Sequence, residues 1–146
     1  MGGIDLYVGC GRTRFLLREA VPIAQAAKKT PMVDGSGLKA TLEYRVIKYL
    51  HEESKIQFKG KTVLLVSGID RFGMAEALVE TGCDLILGDL IFVLNLPIPL
   101  RSLDILDRVA RVVGPIVTKL PFSMIYPTGE KQKERKLNPR QTKWYE

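Results

Sequence analysis

Thr62-Val63-Leu64-Leu65-Val66-Ser67 runs without a break into Gly68-Ile69-Asp70-Arg71-Phe72-Gly73-Met74-Ala75, and the reading of this stretch decides the fold. Its first six residues are too few for a helix and too apolar for a strand with one wet face, so they are expected as a strand buried on both faces. Gly73 to Thr81 then carries Met74, Ala77 and Leu78 at helical spacing, and Gly82 stands where a left-handed residue commonly closes a helix. Cys83 to Leu87 is a second short apolar run. Strand, helix and strand at these lengths make a parallel β-α-β unit from Thr62 to Asp89, so the chain is read as α/β, a parallel sheet with flanking helices.

Working outward, Pro31 to Val33 is a short strand candidate followed by Asp34-Gly35-Ser36-Gly37. From Leu38 the apolar residues Leu38, Leu42, Val46 and Leu50 recur every four positions, which predicts a helix with that face turned to the core and Ser36 as its cap. Downstream, Leu90 to Leu94 reads as a short helix and Pro97 with Pro99 as an extended link. Ser102 caps a helix carrying Leu103, Leu106, Ala110 and Val113, which Gly114 and Pro115 are expected to end. Ile116 to Leu120 is a further strand candidate. Both ends look cut, so residues 1–129 are expected as an incomplete α/β domain and 130–146 as a basic segment leading into a missing region.

Composition fits this class. The chain has 146 residues, 46% hydrophobic and 26% charged, near the globular average and far from disordered or fibrous compositions. The longest apolar stretch, Leu85 to Leu100, is broken by Asp89, Asn95, Pro97 and Pro99, so no membrane span is expected. No basic region followed by an apolar one opens the chain, which makes the cytoplasm the default location. The net charge of +6 is concentrated in the tail, where Lys131, Lys133, Arg135, Lys136, Arg140 and Lys143 face Glu130, Glu134 and Glu146. Acids are interleaved with the bases, so a solvated terminal face is expected and a nucleic-acid partner is not. Cys10 and Cys83 make no disulfide framework, and with His51 as the single histidine no metal site is expected. No feature of the sequence sets an oligomeric state.

Two glycine-bearing turns carry the candidate chemistry. Loops leaving the carboxyl ends of parallel strands line the ligand crevice, where helix N-termini present unpaired N–H groups. Gly68 and Gly73 match the outer glycines of G-x-G-x-x-G, and Asp89 lies 21 residues after Gly68, where an acid would meet a ribose hydroxyl. On this reading Gly68, Arg71, Gly73 and Asp89 hold NAD or NADP. Asp70 stands in place of the middle glycine, where a carboxylate repels pyrophosphate; Arg71 offsets that charge, or Asp70 is simply the N-cap of an ordinary turn. In the second turn, Asp34 and Lys39 are the candidate catalytic pair, moving a proton to or from a substrate hydroxyl held between them. The spacing of a Walker A loop is absent.

Several segments together resemble bacterial proteins of a quinate 5-dehydrogenase or shikimate/quinate dehydrogenase-like family: Gly2 to Tyr7, Lys28 to Pro31, Val33 to Lys39, Val66 to Leu78, Pro97 to Leu103 and Tyr126 to Gln132. The resemblance covers nearly the whole chain. It implies a Rossmann-like fold and NAD(P)-linked oxidation of a cyclic polyol acid as the small-molecule substrate. The N-x-T-x-P-x-K type segment of shikimate dehydrogenases is absent, so no catalytic residue is carried over, and Asp34 and Lys39 rest on local chemistry alone. A non-catalytic ligand-binding or regulatory domain that keeps the crevice is the alternative.

Overall fold

The computed structural model describes residues 7–10, 13–27, 35–54, 56–94 and 96–121. The decisive stretch forms the expected unit. Strand β3 (Thr62–Leu65) leads through a turn into helix α3 (Phe72–Glu80), which returns to strand β4 (Asp84–Leu87). The two strands pair in parallel, with Thr62 beside Asp84 and Leu65 beside Leu87. Gly82 has φ of 74°, a conformation that suits glycine and stops α3 as the sequence predicts. One face of α3 and the alternate residues Leu85 and Leu87 of β4 meet in one core that Leu106 completes from further along the chain, and Leu78, Leu87 and Leu106 are almost wholly buried. Each contributes about 1.5–3 kcal/mol through removal of its side chain from water.

Before this unit lie a hairpin of β1 (Tyr7–Cys10) and β2 (Thr13–Leu16), a short helix α1 (Ala20–Ala26) and the long helix α2 (Ser36–Glu52). After it come a π-helical turn at Asp89–Val93 and helix α4 (Leu103–Val117). Helix α2 packs on α3, and α4 packs on the hairpin. Ser102 caps α4 as expected, accepting from the Asp104 N–H at 3.2 Å. Leu87 and Leu100 exchange backbone hydrogen bonds of 2.7 and 3.1 Å, which ties the link before α4 to β4.

The architecture is therefore mixed α/β, with a small parallel two-stranded sheet, a separate antiparallel hairpin and flanking helices. It departs from the sequence reading in four places. Among the described residues β3 pairs on one side only, and Val63 to Leu65 are half-buried rather than sealed on both faces. Helix α2 forms, but Leu38 and Leu42 face outward. Its inner face carries Ile47 and Glu43 instead, because close approach to α3 favours the side of the helix that carries Ala40. Its N-cap is Gly35 rather than Ser36.

The fourth departure is at the end of α4, which continues through Gly114 and Pro115 and absorbs the expected strand at Ile116. A proline near a helix end forfeits only its own bond to the carbonyl four residues earlier, and the last turn still closes, with the Thr118 N–H donating to the Gly114 carbonyl at 2.9 Å. Gly114 is there for space: a Cβ at that position would lie 2.5 Å from the Phe15 ring. The strand candidate at Pro31 to Val33 and the basic segment 130–146 lie outside the described residues. Among those described, no helix is long and apolar enough to cross a membrane.

Candidate functional site

The turn between β3 and α3 sits at the carboxyl end of the parallel pair, where the sequence places it. Gly88 and Asp89 follow β4 directly, so the neighbouring strand delivers Asp89 beside the turn. Its carboxylate accepts from the Gly68 N–H at 2.8 Å through Oδ2 and from the Ile69 N–H at 3.0 Å through Oδ1. The Ser67 hydroxyl donates to Oδ1 at 3.2 Å, and its oxygen lies 3.4 Å from the Asp70 N–H. Asp89 is only 3% exposed. Burial holds its carboxyl above the usual carboxylate range, against the opposing pull of the Ile69, Gly68 and Ser67 donors.

That direction fixes a pH dependence. A carboxyl whose folded value is raised binds its proton more tightly in the native state, so its contribution to stability is greatest below the ordinary value of 3.8. It is lost as pH rises through the raised folded value. Asp89→Asn, which cannot ionise, is accordingly expected to cost more stability at pH 4 than at pH 8, read by urea unfolding at both. An equal cost at the two pH values would contradict the assignment.

The two fingerprint glycines are both explained by packing. A Cβ on Gly68 would lie 2.7 Å from Leu87 Cδ2 and 2.9 Å from Leu106 Cδ2. A Cβ on Gly73 would lie 2.2 Å from the Ala40 carbonyl oxygen, so Gly73 is what lets α2 and α3 touch.

Around the turn the charged side chains answer one another. Lys39 Nζ pairs with Asp70 Oδ1 at 2.7 Å, and Arg71 Nε lies 3.4 Å from Asp70 Oδ2. Arg71 Nη1 donates to Glu43 Oε1 at 2.9 Å, and the Glu43 side chain is only 8% exposed. Lys39 thus meets Asp70 of the first turn, while Asp34 lies outside the described residues. Helix α3 has no side-chain N-cap, so Asp70 serves the ion pairs instead of the helix end. Among the described residues, two cations stand against the three carboxyl groups of Glu43, Asp70 and Asp89, an arrangement with no surplus positive charge for a phosphate. Among the described residues no group of three His, Cys, Asp or Glu side chains is placed to hold a metal ion.

Two participants escape a reading by motif. Glu43 is an acid on the inward face of α2, visible only once that face is known. Ser67 adjoins Gly68, but a hydroxyl at a strand end has no distinguishing pattern. Fold and turn together define an α/β domain whose strand-to-helix turn is closed by its own carboxylate. The chain belongs to the family described as Domain of unknown function (DUF8754), which matches residues 37–146 and so takes in Lys39 and the whole turn. No curated protein and no solved structure matches the chain.

Proposed function

We propose that the chain is a non-catalytic ligand-binding or regulatory domain of Rossmann-like type. One observation carries this reading: the Gly68 and Ile69 amides, which a pyrophosphate would need, are bonded to the Asp89 carboxylate. The charge balance around the turn supports it, since Asp70 and Asp89 repel an approaching phosphate while Lys39 and Arg71 are engaged with Asp70 and Glu43.

A second reading, an NAD(P)-dependent oxidoreductase resembling quinate or shikimate dehydrogenases, is favoured by the position of Asp89. It follows β4 directly and adjoins the glycine turn, as an acid meeting an adenosine ribose would. In that reading Gly68, Arg71 and Gly73 hold the NAD or NADP pyrophosphate, and Asp34 with Lys39 serves the substrate hydroxyl.

Calorimetric titration of the 146-residue chain with NADH and with NADPH separates the two. The binding-domain reading predicts no saturable heat up to about 1 mM cofactor, which corresponds to less than roughly 4 kcal/mol of binding free energy. It also predicts no reduction of NAD or NADP in the presence of quinate or shikimate. Saturable binding in the micromolar range, weakened tenfold or more by Asp89→Ala, together with reduction of NAD or NADP by quinate or shikimate, would replace it with the oxidoreductase reading.

A further inference from the structure

Helix α4 turns one side to the core through Leu106, Ala110 and Gly114. The opposite side is apolar and cationic at once. Ile105 is 46% exposed, Val112 70% and Ile116 63%, and the exposed Arg108 and Lys119 stand between and beyond them. Lys119 belongs to the turn that closes the helix, its N–H donating to the Ile116 carbonyl at 3.1 Å. At about 100° per residue the other four all fall within about 40° of Val112, so the five make one strip about 21 Å long. The helix's remaining charges are matched or lie to the side. Arg111 pairs with Asp107 at 2.7 Å, and Arg101, just before the helix, with Asp84 at 2.8 Å. Asp104 lies about 80° round from Val112, in the first turn, where the helix dipole favours an acid. Among the described residues Arg108 and Lys119 have no carboxylate partner.

We propose that this side of α4 docks on an anionic lipid bilayer, with the helix axis parallel to the surface. Both kinds of side chain on the strip suit that partner. Ile105, Val112 and Ile116 enter the boundary between headgroups and acyl chains, while Arg108 and Lys119 extend their charged heads to the lipid phosphates. The net charge of +6 draws the chain toward such a surface. Nucleic acid would use the cations alone, since the strip holds no aromatic ring to stack on a base and no neutral polar side chain to read one. A globular acidic partner needs roughly 800 Å² per side, more than five side chains supply, whereas a bilayer sets no minimum area. A second copy fits no better, because a strip without a carboxylate gives its own cations no counter-charge in either direction. Leu106, which packs at the turn beside Gly68, is on the opposite side of α4, so the strip is separate from that turn and the proposal is independent of the ligand reading.

Flotation of the 146-residue chain with vesicles of phosphatidylcholine alone, and of phosphatidylcholine with about 30% phosphatidylserine, tests it. The expected result is partitioning at least tenfold stronger onto the anionic vesicles, weakening as salt rises from about 0.05 to 0.3 M. Val112→Ser combined with Ile116→Ser leaves every charge in place and should lower the partition coefficient at least tenfold, while the thermal midpoint stays that of the parent. Arg108→Gln combined with Lys119→Gln should lower it roughly 20-fold, about fivefold for each cation. A chain that does not float with the anionic vesicles overturns the proposal. So does binding that the two serine substitutions leave unchanged, which would assign the attraction to charge alone, as the basic segment 130–146 could supply. Tighter binding to single-stranded DNA than to the vesicles, lost with Arg108→Gln and Lys119→Gln, would overturn it in favour of a nucleic-acid partner.

Discussion

Gly73→Ala is expected to destabilise the chain by about 3 kcal/mol or more, at the severe end of overpacking substitutions. The new Cβ would lie 2.2 Å from the carbonyl oxygen of Ala40 and 2.9 Å from its carbonyl carbon. Both are backbone atoms of α2, so no rotamer change relieves the clash, and the two helices must separate. That separation also disturbs the Arg71 to Glu43 pair, which bridges the turn and α2. The thermal midpoint should fall by about 10 °C or more. Gly37→Ala provides the contrast, since a Cβ there meets nothing within 4 Å and alanine favours a helix; a gain of about 0.5–1 kcal/mol is expected. A Gly73→Ala variant within 1 kcal/mol of the parent by urea unfolding would contradict the described packing of α2 on α3.

Asp89→Ala carries the second large expected effect, a loss of about 2–3 kcal/mol at neutral pH. The substitution removes the acceptor from the Gly68 and Ile69 amides at once. Each stranded donor costs about 1–3 kcal/mol where water cannot reach it. Relief of a buried carboxylate offsets part of the total, because burial already works against the charged form of Asp89. The Gly68 and Ile69 amides should lose their protection from hydrogen exchange, whereas amides in the middle of α4 keep theirs. Unchanged stability together with unchanged protection at Gly68 and Ile69 would show that the carboxylate does not hold the turn.

The β-α-β unit was legible because local pattern and tertiary pairing agree there. The run from Thr62, the turn at Gly68, the stop at Gly82 and the run ending at Leu87 all point to one topology. The outward face of α2 was not legible, since Leu38, Leu42 and Val46 obey helical periodicity as well as any core face does. What turned the helix over is the Gly73 to Ala40 contact, a relation between two segments that no local pattern contains. Gly114 misled for the same reason: it reads as a terminator, and its role is to admit the Phe15 ring. At the candidate site the motif points to Gly68 and Asp89, which lie together at the carboxyl ends of the strands, and to Gly73 in the first turn of α3. It did not disclose that the glycines answer to Leu87, Leu106 and Ala40, or that Asp89 bonds the turn itself. Such a motif records which backbone must pass close to something, and here that something is the protein's own interior.

Asp89 occupies the turn amides, and a backbone amide spectrum of the 15N-labelled chain reads that occupancy. The Gly68 and Ile69 resonances should respond to Asp89→Ala and should remain unmoved on addition of NAD or NADP to about 1 mM, a concentration that populates any site tighter than about 4 kcal/mol. Saturable shifts of these two amides with either cofactor below about 1 mM would contradict the claim and identify the turn as a dinucleotide site.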